Sequence, residues 1–354
     1  MGPIAVLLFM LTCLVIAKLI LRFTNGSEGN VIRPASNDAI LISGCDSGIG
    51  LELAKNFFAA LNLKIICGFL NPPHSNGYQE LSKLAETSSG HRLILLKLDL
   101  TSDSDVNDIA QSIERLRANG EIKSLLALIN NAGTMTYGEF DWLTWTHIDH
   151  QIQVNLVGTI RLTRAILSHI IECRGKIINV SSVNDSTVFP GLSVYSATKS
   201  AISTFSRGLG YELRKFGVHV VTVRLGDFAR LTNIMANHSS NQSDMWNGMD
   251  TRKRIMYNEF FHEFNRHLLR NYGMTSPKVF EQSSLFVDFK RAVLSRNPPT
   301  TITCAPLAYR LFYFLMELTP VWIQYHFLDV LIRFAFKWQP PQLVARQDGV
   351  TREE

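Results

Sequence analysis

Residues 39–50 read Ala39-Ile40-Leu41-Ile42-Ser43-Gly44-Cys45-Asp46-Ser47-Gly48-Ile49-Gly50. The unbroken apolar run closed by Ser43 has the pattern of a strand buried on both faces, as in a parallel sheet. Residues 51–58 (LELAKNFF) then begin an amphipathic helix. Strand, glycine turn and helix together are the context that a dinucleotide fingerprint requires. The glycines let backbone approach a pyrophosphate, which the positive end of the helix favours. Gly44, Asp46, Ser47, Gly48, Ile49 and Gly50 are therefore candidates for cofactor binding. The competing reading is an ordinary βα turn.

Further apolar runs follow at residues 63–69, 93–98, 125–129, 176–180 and 218–223, each short enough for a strand. The second ends in Phe69, Leu70 and Asn71, where a carboxylate would read a ribose 2′-hydroxyl and an arginine a 2′-phosphate. Neither is present, and the glycine turn carries Asp46-Ser47 instead of a base, so NAD is expected rather than NADP. The third run is followed by Asp99-Leu100. Asp99 could bond an adenine edge or cap the helix that begins near Asp103. After the fourth come Asn130, Asn131, Ala132 and Gly133, small enough to admit a cofactor closely. Asn155 lies in a largely apolar helical stretch, where a catalytic amide competes with a core amide that only satisfies backbone.

The fifth run leads to Ser182, and Tyr195 and Lys199 follow. Tyr195 and Lys199 are four apart and share a helix face. A free phenol has a pKa of about 10. A nearby ammonium would stabilise the phenolate and let it serve as general acid or base at a carbinol or carbonyl oxygen. Ser182 would hold the same oxygen. By itself, Tyr-x-x-x-Lys occurs by chance in many helices.

Taken together, Gly44-x-x-x-Gly48-x-Gly50, Asp99, the Asn130–Gly133 run, Asn155, Ser182 and Tyr195-x-x-x-Lys199 resemble the short-chain dehydrogenase/reductase family over about residues 38–232. The resemblance implies an α/β fold, a doubly wound (Rossmann) parallel sheet of seven strands in a single domain. It implies a tetrad of Asn155, Ser182, Tyr195 and Lys199, with the asparagine holding a proton-relaying water. It extends the cofactor contacts to Asp99, Leu100, Asn131, Ala132, Gly133, Tyr195, Lys199 and Gly226, and it implies a homodimer. Gly44-Cys45-Asp46-Ser47-Gly48, the stretch from Gly138 to Trp142 and the amino-terminal apolar run are similar to the membrane-anchored retinol and hydroxysteroid dehydrogenase branch, including insect proteins of ecdysteroid synthesis. That branch implies NAD, a sterol or retinoid substrate and an endoplasmic-reticulum membrane. After the sixth strand the family carries proline, glycine and then a threonine. This chain has Leu225, Gly226 and Arg230 there, which predicts a looser turn and a changed nicotinamide contact. A scaffold without turnover is the alternative of a different class.

The 354 residues are 46% hydrophobic and 18% charged with a net charge of +5, too mild a balance to suggest nucleic acid. Cys13, Cys45, Cys67, Cys173 and Cys304 are scattered without metal-ligand spacing and read as reduced thiols, Cys45 and Cys67 in the core. That favours a domain facing the cytosol. Residues 1–23 are expected to form an uncleaved transmembrane anchor, since the apolar run reaches about 18 residues and its charges, Lys18 and Arg22, follow it. Residues 24–37 read as a linker and 38–300 as the Rossmann domain. An insertion at 233–300 is expected to act as a lid whose Phe260, Phe261 and Phe264 face either a pocket or an ordinary core. Residues 301–354 read as an extension of two amphipathic helices hinged near Pro320, lying in a headgroup region or packing on the sheet.

Overall fold

The computed structural model describes residues 31–87, 90–226, 228, 232–271 and 284–336. The chain builds β1 (Asp38–Ser43), α1 (Gly48–Ala60), β2 (Lys64–Phe69), α2 (Asn76–Ala85), β3 (Leu93–Lys97), α3 (Asp103–Ala118) and β4 (Ser124–Asn130). It continues through α4 (Trp145–Ile152), a π-helical turn (Gln153–Gly158), α5 (Thr159–Glu172), β5 (Lys176–Ser182), α6 (Ser193–Leu213) and β6 (His219–Leu225). Helices α7 (His238–Gly248), α8 (Thr251–Asn271) and α9 (Leu285–Leu294) come next, then β7 (Thr301–Cys304), α10 (Leu307–Leu318) and α11 (Val321–Phe336). One seven-stranded sheet results, in the order β3-β2-β1-β4-β5-β6-β7. Each neighbouring pair is parallel. The order reverses between β1 and β4, which opens a crevice at their carboxyl ends.

Burial explains why the strands were apolar runs: every residue of β1 is buried, because helices cover both faces. On one face α1, α2 and α9 pack through Phe57, Leu81 and Phe289. On the other, α3, α5 and α6 pack through Ile109, Ile166 and Leu209. A buried amide seam crosses the second layer. Asn130 donates to Asn179 at 2.8 Å and to Thr163 at 2.9 Å, and Asn179 donates to Ser206 at 2.8 Å. This seam ties β4 and β5 to α5 and α6 beside the strand ends that carry the site.

One expectation changes and one open alternative closes. The seventh strand, Thr301–Cys304, lies just beyond the boundary expected at 300, because its four residues alternate polar and apolar at an edge. Of the two readings of the lid aromatics, the ordinary core holds for Phe261 and Phe264. Phe261 and Phe264 are buried around Trp142 with ring centroids 5.0 and 5.3 Å away, a satellite core beneath α8. Leu225 ends β6 opposite Cys304, and Gly226 N–H donates to the Cys304 carbonyl at 2.9 Å, so the chain is held as far as Gly226; the looser turn and changed nicotinamide contact expected beyond it fall on residues 227 and 229–231, outside the described residues. Arg230, the anchor at 1–23, residues 24–30 of the linker and the tail from 337 lie outside the described residues. No helix among the described residues is long and apolar enough to cross a membrane. Cys45, Cys67, Cys173 and Cys304 are free thiols.

The glycine turn depends on one close approach. A Cβ at Gly50 would lie 2.1 Å from the Gly44 carbonyl oxygen and 2.6 Å from the Asn131 amide nitrogen. Gly50→Ala is expected to destabilise the fold by about 1–3 kcal/mol, read as a lower midpoint in urea unfolding. An unchanged midpoint would show that the turn can give.

Candidate active site

The crevice is a cleft of about 1430 Å3 running from the glycine turn, past the ends of β3 and β4, to Tyr195 and Lys199. Gly44 adopts φ +73°, a left-handed conformation that only glycine takes at little cost. Asn131 locks this turn to the end of β4: its side-chain amide donates to the Ser43 carbonyl at 3.0 Å and the Gly44 carbonyl at 3.2 Å. Ser43 Oγ in turn accepts from the N–H groups of Asn131 and Ala132, both at 3.1 Å. Ser47, Gly48, Ile49, Asn131, Ala132 and Gly133 all line the cleft.

At the far corner Asp46 also lines the cleft, but its carboxylate is engaged. It accepts from the N–H groups of Leu70 at 2.9 Å and Asn71 at 3.1 Å, and so holds the loop after β2. Asp99 faces the cleft and binds Thr101, accepting from its N–H at 2.8 Å and its hydroxyl at 2.7 Å. It does not cap α3. Ser102 does, accepting from Asp105 N–H at 3.2 Å. Leu100 lines the cleft, and its carbonyl accepts from Arg161 at 2.6 Å.

At the near end four expected residues meet. Ser182 closes β5, Tyr195 and Lys199 share one face of α6, and Asn155 sits in the π-helical turn; all four are buried. Such turns widen a helix locally and commonly mark functional positions. Here the amide of Asn155 accepts from Thr134 N–H at 2.8 Å and donates to Thr134 O at 2.9 Å and Thr198 Oγ1 at 3.1 Å. It thereby pins the strand β4 extension to the residue preceding Lys199. A Cβ at Gly133 would stand 3.3 Å from Asn155 Oδ1 and 3.5 Å from Lys199 Nζ, so glycine keeps the space above them open.

Electrostatics depart from the expectation. Burial pushes the Tyr195 phenol up to about 12; a hydrogen bond with Ser182 pulls it down, and Asp185 raises it further. Burial also lowers the Lys199 ammonium to about 8, against the opposing charge of Asp185. Lys199 Nζ donates to the Val180 carbonyl at 3.0 Å and lies 5.7 Å from the Tyr195 ring centroid. A hydrogen bond from Ser182 opposes the rise of the phenol, but loss of water dominates both ionisations.

Two features escaped sequence reasoning. An apolar wall of Met135 and Leu192 packs on Tyr195, joined by Tyr137, Phe189, Ile234 and Met235. These come from separate loops and share no local period. His147 and His150 of α4 and Asn241 and Asp244 of α7 also line the cleft, with His147 Nε2 3.8 Å from Asp244 Oδ2. The i, i+3 spacings within each helix were the available signal.

The cradle suits a dinucleotide: glycines leave room at the turn, and the cleft continues unbroken to the tyrosine and lysine. The family described as short chain dehydrogenase matches residues 38–243. Estradiol 17-beta-dehydrogenase 2 of Mus musculus is 28% identical over 349 residues, covering 94% of this chain and 84% of that protein. The mitochondrial D-beta-hydroxybutyrate dehydrogenase of Bos taurus is 32% identical over 203 residues, covering 57% of this chain and 58% of its own length. Among solved structures, a short-chain dehydrogenase from Streptomyces avermitilis superposes with a TM-score of 0.60 at 22% identity, covering 85% of this chain and 99% of that one.

Asn155→Ala leaves the Thr134 N–H and carbonyl without this partner. Each buried orphan costs about 1–3 kcal/mol, so a clear fall in the thermal midpoint is expected. An unchanged midpoint would mean that water replaces the amide.

Proposed function

The chain belongs to the short-chain dehydrogenase family and is an oxidoreductase acting on CH–OH groups, and from that premise we propose that it interconverts an alcohol and a ketone on a steroid or related lipid with NAD(H). The observation that carries this is the apolar wall of Met135, Leu192, Phe189 and Met235 built around the Tyr195 ring. Of this wall Met135, Ile234 and Tyr195 line the cleft, and they offer a water-poor surface to a hydrocarbon skeleton at its reacting end. The full-length likeness to an estradiol dehydrogenase supports the same substrate class. Ecdysteroid precursors are the narrower group to test within it.

When bound, the nicotinamide cofactor exchanges hydride with the substrate carbon. Gly44, Ser47, Gly48 and Ile49 would hold its pyrophosphate, with Gly50 closing the turn behind them, Asp99 and Leu100 its adenine side, and Lys199 its ribose. Tyr195 takes the carbinol proton in oxidation and returns it in reduction. The single Ser182 O–H, shared with the phenol in the free enzyme, donates to the substrate oxygen as charge develops there. Asn155 and Lys199 continue the proton path away from the phenol. A 2′-phosphate at the Asp46 corner would meet a like charge, which supports NAD over NADP. The C-terminal pair α10 and α11 leaves Leu315, Trp322, Tyr325 and Val330 exposed, a composition suited to the headgroup layer of a membrane such as the endoplasmic reticulum. A homodimer belongs to the same reading.

Tyr195→Phe is expected to cut turnover of hydroxysteroids by at least about a hundredfold while NADH binding stays within about twofold. Fluorescence titration and steady-state assays on a steroid panel, with retinol alongside, check both; retained turnover sinks the role of the phenol. Oxidation needs the phenolate and reduction the phenol, so the oxidative rate rises with pH and the reductive rate falls. Because a hydrogen bond from Ser182 lowers this pKa, Ser182→Ala should move the rise to higher pH. Preference for NAD over NADP is expected to reach about a hundredfold in kcat/KM; parity would remove the role given to Asp46.

A further inference from the structure

The loop that follows Ser182 carries a charged cluster outside the catalytic set. Asp185, Arg224 of β6 and Glu317 of α10 have side chains only 5%, 8% and 16% exposed. Arg224 donates to Asp185 through Nε at 2.9 Å and Nη2 at 2.7 Å. The same Nη2 reaches Glu317 at 2.8 Å and Ser186 Oγ at 2.5 Å, and Ser186 Oγ donates to Glu317 at 2.9 Å. Asp185 is bound from behind as well: Ser203 donates to its second oxygen at 2.5 Å, and Ser200 donates to its carbonyl. From the same helix as Glu317, Tyr313 donates to Asn184 Oδ1 at 3.3 Å, and Asn184 N–H donates to Ser182 Oγ at 3.1 Å.

The cluster sets two carboxyl groups on one guanidinium in a place with little water, with the Lys199 ammonium in the field of Asp185. Moving any member uncovers a charge where it is costly, so such a cluster favours one geometry. That geometry includes residues 183–186, which begin at the catalytic serine. Helix α10, remote in sequence, therefore reaches the serine by two routes: Glu317–Arg224–Asp185 and Tyr313–Asn184.

We propose that Glu317 and Arg224 are positioning residues, which act through Asp185 to fix the 182–186 loop and with it the Ser182 hydroxyl relative to Tyr195. This rests on the reading of Ser182 and Tyr195 as catalytic. Docking of α10 is then a condition of catalysis as well as of packing.

The test uses the full-length protein and the hydroxysteroid of highest turnover in the panel above. Misplacing one catalytic group by a fraction of an ångström costs rate rather than binding, so Glu317→Ala should lower kcat about tenfold with KM and NADH affinity within about twofold. Glu317→Gln keeps an oxygen that accepts from Arg224 and Ser186, and should retain most of the rate. Wild-type kcat in Glu317→Ala overturns the proposal. So does an equal loss in both variants that tracks a fall in thermal midpoint and NADH affinity, since that marks packing alone. Tyr195→Phe in the same assays keeps the two questions apart. Activity there refutes the role of the phenol, whereas an inactive Tyr195→Phe beside a fully active Glu317→Ala refutes only the clamp.

Discussion

An ammonium ion without water must be held by something. Lys199 is buried between β5 and α6, its ionisation depressed by that burial, and the Val180 carbonyl and the field of Asp185 are what sustain its charge. Much of the neighbouring architecture follows from this one constraint. The end of β5 supplies the carbonyl, the loop after β5 supplies the counter-charge, and α6 must pack closely enough to bring Tyr195 alongside. Asn155 closes the arrangement from the π-helical turn by fixing Thr198, the residue before the lysine.

The parallel sheet makes such convergence inexpensive in chain length. Strand ends point the same way, so β1, β3, β4, β5 and β6 deliver the glycine turn, Asp99, Asn131, Ser182 and Leu225 to one rim. Each piece is then tied to a neighbour by short polar links: Ser43 and Asn131 between β1 and β4, Asn130 and Asn179 between β4 and β5. The rim is stiff for the same reason that it is polar. Ser43, Asn131 and the amide nitrogen of Asn130 are engaged across strands, so displacement would orphan several groups at once, while Asn130 Oδ1 is buried without a partner.

How much could be read beforehand follows from where the information lay. The first six strands were legible because burial on both faces leaves an apolar run that needs no partner to be recognised. The glycine turn and the Tyr195–Lys199 spacing were legible because their geometry is local. β7 was not: Thr301-Ile302-Thr303-Cys304 is four residues long and half polar, and only pairing with β6 makes it a strand. Nor could Phe261 and Phe264 be assigned, since an aromatic stripe looks alike whether it faces a pocket or Trp142. The net ionisation of Tyr195 was not legible for a related reason. Spacing shows which groups are near, while burial decides which effect wins, and burial is a property of the whole fold. Ser102 rather than Asp99 caps α3 because the helix begins where a side chain can reach a free N–H, a matter of one turn of backbone.

The late arrival of β7 has a consequence for biogenesis. A polypeptide emerging from the ribosome completes β6 at residue 225, yet the strand that covers its outer edge appears only at residues 301–304. In the interval, the edge N–H and carbonyl groups of β6 and the apolar side chains Val221 and Val223 stand open beside a growing helical insertion. Unpaired edges of this kind recruit other strands. Translation speed across the insertion, and a chaperone that shields that margin, therefore bear on how much of the synthesised chain reaches its native sheet.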